Sequence, residues 1–388
     1  MQTFWGYERK SDNGVGTRNY VAVIPTVFCA NEVVQAIAQK HPLCRPLLHN
    51  KGCGQLQPDK DIVTRTLVGL GLNPNVGGVI LVSLGCEGIS LGTVYQGIAD
   101  RNRWVEKIII QDIGGMARAV SRGHDIVRKM AGELERRKRK EFPLSRITLA
   151  VKCGSSDATS GISTNPATGK AVDFFLEQGA RIVFGETTEF IGAEHILAAR
   201  AINDDIRKKI LGIVARMENR IIQMGVDIRG TQPSPGNIAG GLTTIEEKSL
   251  GAISKSGSSP INDVHEYGAR VEEPGLHIMD SPGKEDEFLT GIAAAGANIC
   301  VFTTGGGAPQ GFPLVPVIKV AGNPDKVVRM CQHIDVNASP IISGEKSIKI
   351  IGEEIITKVL NTASGAKVKA ELCAYDKSIG IYTTGPTI

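Results

Sequence analysis

Short runs of apolar, mostly β-branched residues recur along the first two hundred positions of the chain. Residues 20–24, 78–83, 107–110, 147–151 and 181–184 carry this pattern, which predicts buried strands. Between them, apolar positions return every three or four residues at 31–40, 117–134 and 167–178, the spacing of helices with one buried face. A long helix with a polar face is predicted over 204–224. The alternation predicts an α/β fold, two domains with largely parallel βα units. At 230–237 it stops: two prolines and two glycines among Thr231, Gln232, Ser234 and Asn237 suit neither element. The expected division is therefore an N-terminal α/β domain at 1–229 and a C-terminal α/β domain at 230–388. The rhythm resumes with strands at 276–279, 297–302 and 315–320, then helices at 324–331 and 348–360.

Composition narrows the class. Lys and Arg number 44 against 40 Asp and Glu, a net +4 over 388 residues, which is no footprint for nucleic acid. The basic run at 136–140 reads as a solvated helix end that complements the macrodipole. No apolar stretch approaches the ~20 residues of a membrane span, and Met1 is not followed by the charged and apolar regions of a signal peptide. The expectation is a cytoplasmic protein that contacts neither nucleic acid nor membrane. Its eight cysteines are then reduced thiols, some in the core and some available as ligands.

Three cysteines stand beside glycine where apolar runs end: Cys53 in the segment from His49 to Gly54, Cys86 before Glu87, and Cys153 before Gly154. In open α/β sheets, ligands bind beyond the carboxyl ends of strands. Glycine leaves room for a bulky inorganic group. Cys53, Cys86 and Cys153 converging at one edge would suit a [4Fe–4S] cluster with one open iron, acting as a Lewis acid. Two other readings stay open. The three are small buried thiols in tight turns, or a mononuclear Fe(II) is held by His49, Glu87, Asp157 and some of the cysteines. Cys300 and Cys331 read as core residues. Cys29, at the start of the first helix, ranks lower as a ligand.

Proton-transfer candidates follow the strand at 181–184. Glu186 sits at its end, and Glu194 and His195 come soon after. Abstraction of a proton α to a carboxylate needs a positioned base, and Glu186 or His49 is the expected one. Glu194 and His195 read equally well as a solvated helix face. Asn165-Pro166 opens a helix, and Thr304-Gly305 begins a glycine nest; both are features that cradle anions. With Ser156, Asp157 and Lys248 they make up the expected substrate-binding set.

Taken together these segments resemble the altronate/galactarate dehydratase family of sugar-acid hydro-lyases. The resemblance runs over nearly the whole chain. It is carried by Gly14-Val15-Gly16-Thr17-Arg18-Asn19-Tyr20, by Leu84-Gly85-Cys86-Glu87, and by Asn165-Pro166-Ala167. The most specific stretches are Pro233 to Thr244 with Glu247-Lys248-Ser249-Leu250-Gly251, and Asp280-Ser281-Pro282-Gly283. The resemblance implies an iron-dependent lyase that dehydrates a small hydroxy acid or sugar acid to a 2-oxo acid. It also includes split members, among them the large subunit of sulfolactate sulfo-lyase, which releases sulfite by an analogous β-elimination. It implies a separate small subunit supplying a domain that single-chain members carry at their N-terminus, with a homo-oligomer as the other arrangement. Two departures stand out. Gly306 replaces an arginine common in the family's Thr-Thr-Gly-Arg-Gly nest, and Ser155 and Ala158 stand where glycines are common. The first argues against a long sugar diacid and leaves open a non-catalytic sugar-acid-binding subunit. A nicotinamide oxidoreductase is disfavoured, because no Gly-x-Gly-x-x-Gly follows the first strand.

Overall fold

The computed structural model describes residues 2–9 and 14–388. Its strands in chain order are β1 (Thr3–Glu8), β2 (Val15–Gly16), β3 (Tyr20–Pro25), β4 (Cys44–Pro46), β5 (Val76–Ser83), β6 (Val105–Ile109), β7 (Lys140–Pro143), β8 (Thr148–Gly154), β9 (Arg181–Phe184), β10 (Ile261–His265), β11 (Gly275–Met279), β12 (Ile299–Thr304), β13 (Val317–Ala321) and β14 (Val336–Asn337). They form a parallel sheet of order β4-β3-β5-β6 and a larger parallel sheet of order β10-β11-β9-β8-β12-β13-β14. A small antiparallel sheet, β2-β1-β7, stands apart from these. The fold is α/β. The apolar runs read as strands lie in the two parallel sheets, because a strand covered on both faces must be apolar at successive positions.

The large sheet takes strands from both sides of residue 230. β8 and β9 precede it, and β10 to β14 follow. The two parallel sheets part the chain between β6 and β8, and not at 229/230 as the break in pattern suggests. The segment with that break instead becomes a short capped turn of helix, Pro235–Ala239, and Asn237 Nδ2 donates to the Ser156 carbonyl at 2.8 Å. It is a wall of the site described below.

One core cluster fills one face of the large sheet around Val151, Ile182, Val301 and Ile318. A second lies between the two sheets, joining Ala22 and Leu81 to Ala150, Cys300 and Phe302. Helices Asp59–Gly71 and Glu285–Ala294 belong to this middle layer and meet at Gly69, where an added Cβ would lie 2.5 Å from the Ala294 carbonyl oxygen. A third cluster covers the outer face of the small parallel sheet. Because all strands of a parallel sheet run one way, the loops that leave its carboxyl edge gather on one side. Cys300 is buried as expected, whereas Cys331 is exposed beyond the helix Pro324–Arg329, which ends too early to carry it into the core. No helix among the described residues is long and apolar enough to cross a membrane.

Candidate active site

β8 and β9 are neighbours, so their ends bring Lys152, Cys153 and Glu186 together. Strand alternation sends Lys152 and Cys153 to opposite faces, but at the end of the sheet both reach the same carboxylate. Lys152 Nζ donates to Glu186 Oε1 at 2.6 Å and to the Gly283 carbonyl at 3.0 Å. The Cys153 amide donates to Glu186 Oε2 at 3.0 Å. Lys255 arrives from the single 3₁₀ turn Ser254–Ser256 that extends helix Ile245–Ile253. Its ammonium lies 3.0 Å from Glu186 Oε2, 3.1 Å from Cys153 Sγ and 3.7 Å from Glu189 Oε2. The Cys153 thiol donates to Glu189 at 2.7 Å. Lys152, Lys255 and Glu186 are fully buried. Two ammonium groups face two carboxylates, which satisfies the requirement that buried charge be paired.

The loop that carries these carboxylates is held under strain. Glu186 adopts φ +73°, a left-handed conformation uncommon for a residue with a side chain. Contacts from the end of β11 hold it there. The Glu186 amide donates to Ser281 Oγ at 3.0 Å, and Thr187 Oγ1 donates to Asp280 at 2.6 Å. A backbone strain that persists only because its surroundings over-determine it is a mark of functional loops.

Burial sets the protonation states. The Cys153 thiol is pushed well above its usual range, first by burial and then by Glu186 and Glu189, so it stays protonated as a donor. For Glu189, burial alone would raise the carboxyl. Lys255, then Lys248 and Lys152, and the Cys153 hydrogen bond outweigh it and hold Glu189 below the ordinary carboxylate value. Lys255 is raised above the usual lysine value despite burial, by Cys153, Glu186 and Glu189. Glu189 is thus an anion at neutral pH.

Above this cluster opens a cavity of about 410 Å³. Glu189 is the member of the cluster that lines it, together with Ser155, Ser156, Thr188, Gln232, Asn237 and Lys248. Lys248 Nζ donates to Gln232 Oε1 at 3.1 Å and forms no ion pair among the described residues. Lys284, also at this cavity, is paired with Asp286 and Glu287 at 3.3 and 3.4 Å. Two carboxylates therefore face the cavity, Glu285 at its rim and Glu189 from the buried cluster, together with the Lys248 ammonium, which makes no salt bridge among the described residues but lies close enough to Glu189 to favour its anion. A second cavity of about 280 Å³ adjoins it through Ser156 and Lys248 and reaches Asn165 and Leu250.

The residues expected from the sequence fall into three groups. Glu186, Cys153, Ser156 and Lys248 meet at or beneath the cavity. Asp157, Asn165, Thr304 and Gly305 lie beside it but are engaged in holding the loops. Asp157 accepts from Ser160, Thr159 and Asn323, and an added Cβ at Gly305 would fall 2.2 Å from the Asp157 carboxylate. Asn165 links Thr303 to the Gly251 carbonyl, and Thr304 Oγ1 accepts from the amides of Gly307 and Ala308. An added Cβ at Gly306 would fall 2.8 Å from Ser155 Cβ, so the serine at 155 and the glycine at 306 accommodate each other.

The third group lies elsewhere. His195 is exposed on the short helix Glu194–Ala199, and Glu194 binds the Gly192 amide at 2.6 Å and faces Arg229. Neither lines a described cavity with the buried cluster. His49, Cys53, Cys86 and Glu87 belong to the small parallel sheet. Both His49 nitrogens are taken by backbone: Nε2 donates to the Pro25 carbonyl at 2.8 Å, and Nδ1 accepts from the Lys51 amide at 3.1 Å. It has no free nitrogen for a base or ligand role. Lys152, Lys255 and Glu189 lie outside the set expected from the sequence. The signal available is a lysine interrupting the end of an apolar strand run, and a second lysine two turns after Lys248.

Burial lowers the His49 pKa from 6.5 to about 4, which makes a prediction. A histidine held neutral in the folded state stabilises it fully above the unfolded value. That contribution is lost as pH falls from about 6.5 through about 4, on the order of 3 kcal/mol at most from this residue. Urea unfolding should therefore show wild type losing stability across this window more steeply than His49→Gln. Parallel pH curves for the two proteins would show that His49 is not the group responsible.

Cys153, Glu186 and Glu189 also offer three ligand atoms within 4.8 Å of one another, a group that could hold a metal ion. The Lys255 ammonium, however, contacts all three donors. As arranged, the counter-cation of this trio is an ammonium. A divalent ion does not fit there alongside it, so no chemical step is assigned to a metal at this position.

A parallel α/β sheet with paired acid–base groups under a polar cavity is the architecture of an enzyme, and here the enzyme is a lyase. The chain belongs to the D-galactarate/altronate dehydratase family: residues 144–387 match the C-terminal domain of D-galactarate/altronate dehydratase, and residues 6–135 match the second domain of D-galactarate dehydratase/altronate hydrolase. It is 39% identical over 376 residues to the (2R)-sulfolactate sulfo-lyase subunit beta of Chromohalobacter salexigens, covering 95% of each chain. It is 32% identical to the altronate dehydratase of Bacillus subtilis, covering 100% of this chain and 79% of that one. It is 34% identical to the galactarate dehydratase (L-threo-forming) of Escherichia coli, covering 94% and 73%.

Proposed function

We propose that the protein removes water from a small hydroxy acid by β-elimination at the cavity between Glu189 and Lys248, yielding a 2-oxo acid. The observation that carries this reading is the pairing of an ionised carboxylate with an unpaired ammonium in one polar cavity. Lys248 binds the substrate carboxylate, which orients the acid and withdraws charge from the neighbouring C–H. Glu189 takes the proton from the carbon α to that carboxylate. The C–H electron pair forms the carbon–carbon double bond and hydroxide leaves from the β carbon, taking up a proton to become water. Because the α carbon of the substrate itself carries a hydroxyl, the product is an enol, which gains a proton at the β carbon and loses its hydroxyl proton to become the 2-oxo acid. Lys255 and Cys153 do not touch the substrate. They hold the Glu189 carboxylate in place and keep it charged. Gln232, whose Oε1 accepts from Lys248, offers its amide nitrogen to a further hydroxyl, while Asn237 is engaged in holding Ser156 and capping its own helix.

Replacing Lys248 with Met tests the anchor. A lost charge-assisted hydrogen bond of ~1.5–3 kcal/mol corresponds to a rise in KM of roughly ten- to a hundred-fold, with a smaller change in kcat. An unchanged KM would move the carboxylate anchor away from Lys248.

A second reading, sulfite release from a sulfonated hydroxy acid, is favoured by the end-to-end match to a sulfo-lyase subunit. Both reactions begin with the same proton abstraction and differ in the group that leaves. Assaying sulfite and 2-oxo acid in one preparation separates them. The same match, with a relative that is a subunit by name, supports a small partner chain that covers the cavity. Ile162, Ile238 and Leu250 are exposed on segments that border it. Copurification from the native host of a small protein that raises turnover is the expected result. Full activity from the chain alone would remove the partner.

A further inference from the structure

The carboxyl edge of the small parallel sheet gathers three cysteines that the acid–base site does not use. β4, β3 and β5 are adjacent and parallel, so the segments that leave them emerge side by side. The segment after β3 carries Cys29, the one after β4 carries Cys53, and the one after β5 carries Cys86. These segments are stitched together. The Phe28 amide donates to the Lys51 carbonyl at 2.9 Å, and the Gly88 amide donates to the Gly52 carbonyl at 2.9 Å. Thr26 Oγ1 donates to Glu87 at 2.5 Å. At Gly52, φ +108°, an added Cβ would stand 2.3 Å from the Thr26 carbonyl oxygen. Only glycine lets the first two segments approach so closely.

All three cysteines are free and exposed, and none of their thiols has a hydrogen-bond or ionic partner among the described residues. Cys153 differs on each count. It is buried in the other parallel sheet and bonded to Glu189 and Lys255. A shared pattern of cysteine beside glycine after an apolar run therefore covers two different environments. The thiols brought to a common edge are Cys29, Cys53 and Cys86.

We infer that Cys29, Cys53 and Cys86 bind an iron–sulfur cluster through three thiolates, leaving one iron for a ligand that is not a cysteine. Soft thiolates select iron–sulfur clusters over hard divalent ions. Three cysteines on loops of one rigid sheet give the fixed, small ligand set that a [4Fe–4S] cluster with an open iron requires. Glu87, the nearest acidic side chain in sequence, is engaged by Thr26 and by the Gly85 amide at 2.8 Å, so it orients the Cys86 loop and does not serve as the fourth ligand. A cavity of about 360 Å³, lined in part by Phe28, His49 and Lys51, opens beside these segments and shares Lys284 with the acid–base cavity. A small ligand can therefore reach the same edge.

The test uses the full chain, purified without oxygen and reconstituted with ferrous iron and sulfide. Wild type should bind about four iron and four sulfide per chain and show the broad visible absorption of a thiolate-bound cluster. Cys29→Ser, Cys53→Ser and Cys86→Ser should each lose at least half of the iron and the absorption band, while remaining folded by circular dichroism. Cys153→Ser and Cys331→Ser should retain both. Zinc without sulfide in the wild type, full iron content in Cys29→Ser, or loss of iron in Cys153→Ser would each overturn the assignment. The readouts are metal content and spectrum, so this result stands or falls apart from the lyase reading, which the Glu189 and Lys248 variants test.

Discussion

Glu189→Gln should lower kcat by roughly 10²–10⁴ while leaving the fold and substrate binding near wild type. The expectation rests on position and charge together. Glu189 is the one acid of the buried cluster that lines the cavity, and its neighbours hold it ionised. Glutamine keeps the shape and can still meet the Cys153 thiol and Lys255, but it cannot accept a proton from carbon. The loss should appear in kcat more than in KM, because Lys248 still binds the carboxylate. Steady-state assay of 2-oxo acid formation measures it. Near wild-type turnover by Glu189→Gln would remove Glu189 as the base and return attention to Glu186, which is wholly buried and reaches substrate only if the loop moves.

Lys255→Met should be among the most destabilising single changes in the protein. It removes the ammonium that contacts Glu186, Glu189 and Cys153 at once, and leaves two carboxylates facing one remaining partner, Lys152. Breaking one side of a buried ion pair typically costs about 3–5 kcal/mol, because the charge left behind is neither solvated nor paired. Part of this is recovered when one carboxyl takes up a proton. The Lys255→Met protein should therefore be least destabilised at acid pH and most destabilised at neutral pH. Chemical unfolding at pH 5 and pH 7.5 measures both the size and the sign. A loss below ~1 kcal/mol at neutral pH would mean that the network is not under charge balance.

The strands of the two parallel sheets were legible because burial on both faces makes each an apolar run, as at Val79 to Val82 and Leu149 to Val151. Helix Glu285–Ala294 was not. From Phe288 onward every residue is buried, so it lacks the polar stripe that marks an amphipathic helix. β10 was missed for the opposite reason: most of its residues are only half-buried at the sheet edge. The candidate site was half legible. Glu186 and Lys248 stand in loops and helices whose pattern points to chemistry. Lys152 reads as an interruption of a strand, and its role appears only when β8 and β9 are paired. The break at 230–237 is visible in the sequence, but strand order is not, and only the structure shows that residues 204–260 connect β9 to β10 and return the chain to the sheet it left. The same cause misplaced Cys153. Its local sequence matches those of Cys53 and Cys86, and nothing in a short motif says which sheet its strand will join.

A hydroxy acid should bind with its carboxylate at Lys248 and its α C–H against residue 189. The most direct measurement is a crystal structure of Glu189→Gln, which binds without turning over, soaked with a hydroxy acid that the wild type converts. The expected result is the carboxylate within hydrogen-bond distance of Lys248 Nζ, with the α carbon facing the substituted side chain at position 189. The same acid bound at the cavity edged by His49 and Lys51, with Lys248 free, would contradict it.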